Sequence, residues 1–192
     1  SGTSPLFIQT VLEQGYDVQT FPSATLQNPP FDRIIFGEVP HLRTETQGAT
    51  PFERDTRLTA DFLQYLDQKP DKPFFAFLFY DLLHAISIPA PHRHKFEPSW
   101  EYANYMALSN EMDATPFFNL YRNCGWYVDS LVGSIVGELE HKGLLDNSIL
   151  VITGDHSQEF NENKKNYWGH GSNYSDAQIH VPFIYYEPGQ AP

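Results

Sequence analysis

A carboxylate and two imidazoles lie close together near the end of the chain. Asp155 and His156 are adjacent, and His170 follows between Gly169 and Gly171. Carboxylate oxygen and neutral imidazole nitrogen suit Zn²⁺ or Mn²⁺, and they suit Mg²⁺ where waters complete the coordination shell. The same residues also suit an aspartate that caps the next turn beside two hydrogen-bonded loop histidines. The spacing alone leaves these two interpretations about even.

A third imidazole, His84, follows a continuous apolar run at residues 74–80. A second such run, at residues 149–153, ends just before Asp155. Continuous apolar runs of this length predict strands that are buried on both faces. Because ligands bind at the carboxyl ends of strands in open α/β sheets, we expect His84 to lie beside Asp155, His156 and His170.

Helical and strand patterns alternate along the chain. The apolar spacing predicts helices at residues 6–12, 50–67 and 117–142, and strands at residues 16–21, 33–36, 74–80, 149–153 and 181–186. Thr50, Pro51 and Glu53 are typical of the first turn of a helix, and the proline-rich residues 69–73 end that helix. The alternation predicts an α/β fold with a mostly parallel sheet flanked by helices.

The segment around the Asp155–His156 pair also carries a family resemblance. Residues 153–162 read TGDHSQEFNE, and WGHGSN at 168–173 and VPFI at 181–184 follow. These motifs resemble the C-terminal part of the alkaline phosphatase/sulfatase superfamily, above all the sulfatase-like periplasmic domain of the YejM/PbgA inner-membrane proteins, which are relatives of lipoteichoic acid synthases. One difference concerns residues 157 and 158, where that family usually has glycine and an acid and this chain has Ser157 and Gln158.

The resemblance implies a function and a role for each candidate residue. Asp155 and His156 would bind a divalent metal (Mn, Mg or Zn), and His84 and His170 would be catalytic, binding the oxyanion or assisting the leaving group. The parent would be a hydrolase or phosphoglycerol-type transferase of the bacterial envelope that acts on sulfate or phosphate esters of anionic or lipid substrates. The alternative is a catalytically silent domain that binds lipid or a protein partner and regulates envelope composition, which Ser157 and Gln158 favour slightly.

Composition sets further limits. A formal net charge of −12 gives no basic surface for nucleic acid, so we expect no nucleic-acid partner. The single cysteine, Cys124, cannot form an internal disulfide and is most simply a small buried hydrophobe. No apolar run reaches the length of a membrane span. A location at the periplasmic face of the inner membrane therefore comes from the resemblance, and any anchor would lie outside this chain.

The nucleophile and the additional acidic ligand of the resembling family have no recognisable counterpart here. We therefore expect residues 1–192 to form a single sulfatase-like domain that is truncated at its N-terminal side. Such a fragment would hold only part of the active site. By itself it would bind metal weakly or not at all and would be inactive.

Overall fold

Two parallel strands organise the first part of the chain. In the computed structural model, which describes residues 4–68 and 72–189, β1 (Asp17–Pro22) pairs with β2 (Phe74–Phe79) in the register Asp17 to Phe74 through Pro22 to Phe79. Both strands were predicted. The predicted helix break at residues 69–73 lies partly outside the described residues. The side chains of β2 are half-buried, so the prediction that this strand is buried on both faces is wrong.

The remaining elements follow in chain order. The helices are α1 (Leu6–Glu13), α2 (Phe31–Ile34), α3 (Pro51–Asp67), α4 (Leu82–Ala85), α5 (Thr115–His141) and α6 (Asp176–Ile179). The other strands are β3 (Leu150–Thr153), β4 (Glu159–Phe160), β5 (Trp168–Gly169) and β6 (Phe183–Tyr186). Short 3₁₀ turns lie at Ala90–His92, Tyr105–Ala107 and Leu145–Asn147. The three long predicted helices are confirmed.

By its internal contacts the chain divides into two compact units. The first comprises Ser1–Ser87 and Tyr127–Ile135, and the second comprises Ile88–Trp126 and Val136–Pro192. The elements α1 to α4 with β1 and β2 belong to the first unit. The strands β3 to β6 with α6 belong to the second, and α5 supplies residues to both. The expectation of a single domain stays a prediction.

The first unit has helices on both faces of its strand pair. On one face a buried apolar cluster contains residues of α1, of β1 and of the segment after β1. Phe75, Phe77 and Phe79 of β2 pack against it. Its buried members are Ile8, Val18, Leu26, Phe36 and Val39. On the opposite face Phe74 makes an edge contact with Phe62 of α3, at 6.3 Å between ring centroids. Because side chains alternate along β2, one face of the strand packs towards α1 and the other towards α3.

One predicted strand of the first unit is a helix instead. Residues 33–36 have the β-branched composition of a strand, but α2 covers Phe31–Ile34, and the amide of Ile34 donates to the carbonyl oxygen of Pro30 at 3.0 Å. The turn buries Phe36 in the α1 cluster with Ile35 packed against it. Burial of these side chains outweighs the weak strand preference of a four-residue run.

The start of α3 has the predicted cap. The Thr50 hydroxyl accepts a hydrogen bond from the amide of Glu53 at 3.2 Å, and Pro51 occupies the first helical position. The Glu53 carboxylate in turn accepts from the amide of Ala49 at 2.7 Å. The first bond satisfies one of the donors that a helix start leaves unpaired, and the second ties the Glu53 side chain to the residue before the cap.

The second unit is packed around aromatic rings. Phe117 of α5 is 1% exposed, and its ring contacts those of Trp100, Phe160 and Trp168. Cys124, two turns further along the same face of α5, is fully buried, as predicted. This core fixes β4 and β5, which pair antiparallel, against the N-terminal half of α5.

The strands β3 and β6 form an antiparallel ribbon with an exposed apolar surface. Thr153 pairs with Phe183 and Leu150 with Tyr186. The exposed apolar members of the ribbon and its flank are Ile149, Val151, Ile152, Phe183, Ile184, Tyr185 and Tyr186, between 36% and 70% exposed. The prediction that β3 is buried on both faces is therefore wrong.

The sheet prediction also needs correction. Among the described residues one strand pair is parallel and two are antiparallel, so these strands do not form a mostly parallel sheet. The physical reason lies in residues 154–182. This segment leaves β3 at Thr153 and re-enters β6 at Phe183, the residue paired with Thr153, so β6 must run back along β3. Both ends of the segment therefore meet at the carboxyl end of β3.

Candidate metal centre

Asp155 and His156 follow β3 on a tight turn at Gly154. A Cβ added at Gly154 would lie 3.3 Å from the carbonyl oxygen of His156, which is closer than most side chains tolerate. The Asp155 side chain is 75% exposed. Its Oδ1 accepts a hydrogen bond from the backbone amide of His156 at 3.1 Å and lies 3.9 Å from His156 Nε2. The carboxylate and the imidazole therefore face the same region of solvent.

The ring of His156 is held by the backbone. Its Nδ1 lies 3.0 Å from the carbonyl oxygen of Ser157. Because a carbonyl oxygen only accepts hydrogen bonds, Nδ1 must carry a proton, and in the neutral ring Nε2 then carries the lone pair. A backbone carbonyl at Nδ1 is the usual way in which proteins orient a histidine that binds metal through Nε2.

His170 stacks on His156. The ring centroids are 4.1 Å apart with an interplanar angle of 27°, and each ring offers a nitrogen within 4.8 Å of the other. His170 Nδ1 lies 3.1 Å from Oε1 of Gln158. The flanking Gly169 and Gly171 have φ angles of +79° and +78°, a region that other residues rarely adopt. Two glycines thus allow the turn that brings His170 over His156.

The donor atoms of this group fit a divalent metal. Bonds of about 2.0–2.2 Å from one ion to a carboxylate oxygen and an imidazole nitrogen need ligand atoms about 3–4 Å apart. The separation of 3.9 Å between Asp155 Oδ1 and His156 Nε2 is of that size. One carboxylate and two imidazoles suit Zn²⁺ and Mn²⁺ better than Ca²⁺, which prefers oxygen ligands only.

Glu159 organises the segment that carries His170. The residue is fully buried in β4, and its carboxylate accepts hydrogen bonds from four side chains: Asn163 at 3.0 Å, Asn173 at 3.0 Å, Ser175 at 2.9 Å and Gln178 at 2.8 Å. Burial by itself would raise the pKa of Glu159, but these four hydrogen bonds outweigh it and hold the pKa below its ordinary value. The carboxylate therefore stays ionised and connects the start of the segment to α6.

His84 belongs to the first unit, in the short helix α4 directly after β2. Its side chain is 58% exposed, and its Nδ1 lies 3.6 Å from Oδ1 of Asp81. Arg54 of α3 holds Asp81 through Nη2 and Oδ2 at 3.0 Å. Asp55 accepts hydrogen bonds from the amides of Asp81 at 3.1 Å and Leu82 at 2.9 Å.

Residue 86 marks the end of this turn. Ile86 has a φ of +46° and is buried, and a β-branched residue in this region is strained. The backbone on both sides of His84 is thus firmly fixed. That His84 joins Asp155, His156 and His170 in one site stays a prediction.

Sequence reasoning missed the residues that support the candidate ligands. Gln158 was noted only as a difference from the resembling family, and Asp55 was not considered. Glu159 follows the candidate metal ligands, a position typical of an acid that is solvated or lies near a metal, but it is buried. The sequence does contain a weak signal for Asp55, because an acid on the apolar face of α3 must have partners when it is buried. No such signal marks Gln158. His92 and His94, two residues apart in a proline-rich segment, are exposed.

Comparison with known proteins places the chain in a family. The sulfatase family model matches residues 3–192, so the chain belongs to the sulfatase family. This confirms the expected membership in the alkaline phosphatase/sulfatase superfamily and its fold. No curated protein sequence matches the chain significantly.

Solved structures that share the fold include three enzymes or enzyme domains of bacteria. A phosphonate monoester hydrolase of Agrobacterium radiobacter has a TM-score of 0.67 at 17% identity, with 95% of this chain and 52% of that chain covered. The C-terminal periplasmic domain of EptC from Escherichia coli, in complex with Zn, has a TM-score of 0.67 at 16% identity, with 97% and 53% covered.

The lipoteichoic acid synthase LtaP from Listeria monocytogenes has a TM-score of 0.64 at 16% identity, with 96% and 47% covered. The chain therefore spans about half the length of these relatives. Among the described residues, no helix has the length and apolar character needed to cross a bilayer.

Proposed function

We propose that this chain is the C-terminal part of a sulfatase-like, metal-dependent hydrolase or phosphoglycerol-type transferase of the bacterial envelope, acting on sulfate or phosphate esters. The observation that carries the proposal is the group formed by Asp155, His156 and His170 at the carboxyl end of β3. The rings of the two histidines are stacked, and both have Nδ1 beside an oxygen acceptor. Membership in the sulfatase family supports the same reaction class.

The chain's own residues would divide the work as follows. Asp155 and His156 would hold a divalent metal, Zn²⁺, Mn²⁺ or Mg²⁺. Bound there, the metal would supply Lewis-acid neutralisation of charge on the transferred group and would lower the pKa of a nucleophile. His170 and His84 would bind the oxyanion or assist the leaving alkoxide, and each would donate from Nε2 only after that nitrogen has taken up a proton to form the imidazolium ion. The segment anchored by Glu159 keeps His170 in register with His156.

A longer parent protein is part of this proposal. The chain covers 47% to 53% of the solved relatives described above. The β3–β6 ribbon exposes apolar side chains that a soluble domain normally covers. Further residues of the parent would cover the ribbon and supply the nucleophile and the missing acidic ligand. The periplasmic location and any membrane attachment are proposed on the same grounds, by analogy with the periplasmic domain of EptC.

The alternative is a catalytically silent domain that binds lipid or a protein partner and regulates envelope composition. It is favoured by Ser157 and Gln158, which stand where the resembling family has glycine and an acid. The contacts of these residues weaken the alternative. The Ser157 carbonyl and the Gln158 amide oxygen lie against the two histidines, so the replacement leaves both rings held in place.

Metal titration combined with turnover assays separates the two functions. The parent-length protein is titrated with Zn²⁺ and Mn²⁺ by calorimetry and assayed on aryl phosphates and aryl sulfates, beside Asp155→Ala and His156→Ala. The enzyme hypothesis expects turnover that both substitutions abolish together with metal binding. Asp146→Ala, a change in the 3₁₀ turn before β3, is the matched control and should retain both properties. Metal binding without turnover on any ester would favour the silent domain.

A further inference from the structure

The pairing of β4 with β5 places Gln158 opposite His170. Glu159 pairs with Gly169 and Phe160 with Trp168. Extending this antiparallel register by one residue sets Gln158 against His170 at the end of the ladder. Directly opposed residues in an antiparallel pair have neighbouring side chains, which accounts for the 3.1 Å between Gln158 Oε1 and His170 Nδ1.

The backbone on both sides of Gln158 is fixed. On one side the amide of Ser157 donates to the carbonyl oxygen of Gln178 in α6 at 2.9 Å. On the other side Glu159 is fully buried and accepts from four side chains. Gln158 itself is only 8% exposed. A side chain on such a backbone has little freedom to turn away from its neighbour, so its amide is a constant feature of the environment of His170.

We propose that Gln158 is a positioning residue that fixes the tautomer of His170. Its Oε1 accepts the proton of His170 Nδ1, and the Nε2 of His170 then carries the lone pair, as Nε2 of His156 does. The two stacked rings thus present the same kind of nitrogen, one set by a backbone carbonyl and the other by a side-chain amide. The inference deepens the proposed function, because a histidine that binds metal or transfers a proton through Nε2 needs this tautomer.

The role also gives a reason for the difference at residue 158. A glutamate at this position would accept the same hydrogen bond, but it would add a second buried negative charge directly before Glu159 in the chain. A glutamine keeps the acceptor without that charge, and burying a neutral amide costs less free energy than burying an ion. The chain therefore retains the orienting oxygen in a neutral form.

Nitrogen NMR of the histidine rings tests the proposal directly. The ¹⁵N shifts of a neutral imidazole distinguish the nitrogen that carries the proton from the one that carries the lone pair. Spectra of the ¹⁵N-histidine-labelled, metal-free protein are recorded at about pH 8.5, where an ordinary histidine with a pKa of about 6.5 is neutral. The variants are Gln158→Met, which keeps the length and removes the acceptor, and Gln158→Glu, which keeps the acceptor. Gln64→Met, on the exposed side of α3, is the control.

The expected pattern is specific to a positioning role. His170 should be the Nδ1–H tautomer in the wild type, Gln158→Glu and Gln64→Met, and should shift towards Nε2–H in Gln158→Met while the amide spectrum stays dispersed. An Nε2–H wild type, or a Gln158→Met variant with the Nδ1–H tautomer intact, would overturn the proposal.

Zn²⁺ titration of the same variants in the parent-length protein tests the proposed function separately, because residues 1–192 alone are expected to bind metal weakly or not at all. If metal leaves the His156 and His170 signals unchanged while the tautomers follow the expected pattern, the metal site is wrong and the role of Gln158 stands. If metal binds through His170, as a change in its ring-nitrogen signals would show, Gln158→Met should weaken Zn²⁺ binding about 10- to 100-fold, the usual cost of losing an outer partner of a ligand. If Gln158→Met keeps the wild-type affinity for Zn²⁺ and His170 keeps its Nδ1–H tautomer, the proposed role of Gln158 is wrong.

Discussion

Asp55 should make the stability of the protein depend on pH in a way that one substitution removes. The residue is fully buried on α3, and its two carboxylate oxygens accept the amides of Asp81 and Leu82. Burial raises its pKa from 3.8 to about 6, although the two amide hydrogen bonds favour the ionised form. Folding therefore makes ionisation of this carboxyl harder.

The magnitude follows from the shift. Between pH 3.8 and about 6 the folded protein holds a proton on Asp55 that the unfolded chain has lost, so the free energy of unfolding falls as the pH rises. A shift of about two pKa units corresponds to about 3 kcal/mol. Part of this is already lost at pH 4.5, so about 2 kcal/mol remains to be lost between pH 4.5 and pH 7.5. Above that range the contribution of Asp55 is constant.

The assay compares the wild type with Asp55→Asn by urea unfolding at pH 4.5 and pH 7.5. Asparagine keeps one acceptor and cannot ionise. The variant should therefore be less stable than the wild type at pH 4.5, and this deficit should shrink by about 2 kcal/mol at pH 7.5.

Asp61→Asn on the same helix is the matched control, since its carboxylate is only partly buried and forms an ion pair with Arg43 at 2.7 Å. If the free energies of unfolding of the wild type and Asp55→Asn differ by the same amount at both pH values, the reasoning is refuted. So would a carboxyl ¹³C titration of Asp55 with its midpoint near 3.8.

Three further predictions concern the second unit and the activity. Glu159→Gln should lower the free energy of unfolding by about 2–4 kcal/mol at pH 7, because hydrogen bonds to a buried carboxylate contribute about 1.5–3 kcal/mol each and the new amide cannot accept all four. Since folding lowers the pKa of Glu159, its stabilisation is present above the unfolded pKa and is lost as the pH falls through the folded pKa. Urea unfolding of the wild type and the variant at pH 7 and pH 4 measures this loss. The chain of residues 1–192 alone should bind Zn²⁺ or Mn²⁺ weakly or not at all by calorimetry, and tight stoichiometric binding that Asp155→Ala removes would show that the ligand set is already complete. The same chain should not hydrolyse aryl phosphates or aryl sulfates above background with added metal, whereas turnover that His156→Ala abolishes would place a nucleophile within residues 1–192.

Local patterns determined the elements that carry the candidate site. The cap at Thr50 and the apolar stripe of α5 depend on interactions within a few residues, so the sequence predicted both helices. The Asp155–His156 pair after an apolar strand, and His170 between two glycines, could likewise be recognised as candidate ligands without coordinates. The family resemblance at residues 153–173 came from the same contiguous segment, and the sulfatase family match confirms it.

Tertiary structure decided the features that depend on residues distant in sequence. The direction of β6 follows from where residues 154–182 return, and the exposure of β3 follows from what the described chain places around it. Neither can be read from an apolar run. Burial of Asp55 against the amides of Asp81 and Leu82, 26 and 27 residues away, likewise has no local signature.

Gln158 is the clearest case. In the sequence, Gln158 stood out only because the resembling family usually has an acid at this position. The register of a two-residue strand pair, held by the aromatic core and the Glu159 hydrogen bonds, sets its amide oxygen 3.1 Å from His170. Hydrogen-bond direction depends on distances of a few tenths of an ångström between residues twelve positions apart, and only the folded chain fixes such distances.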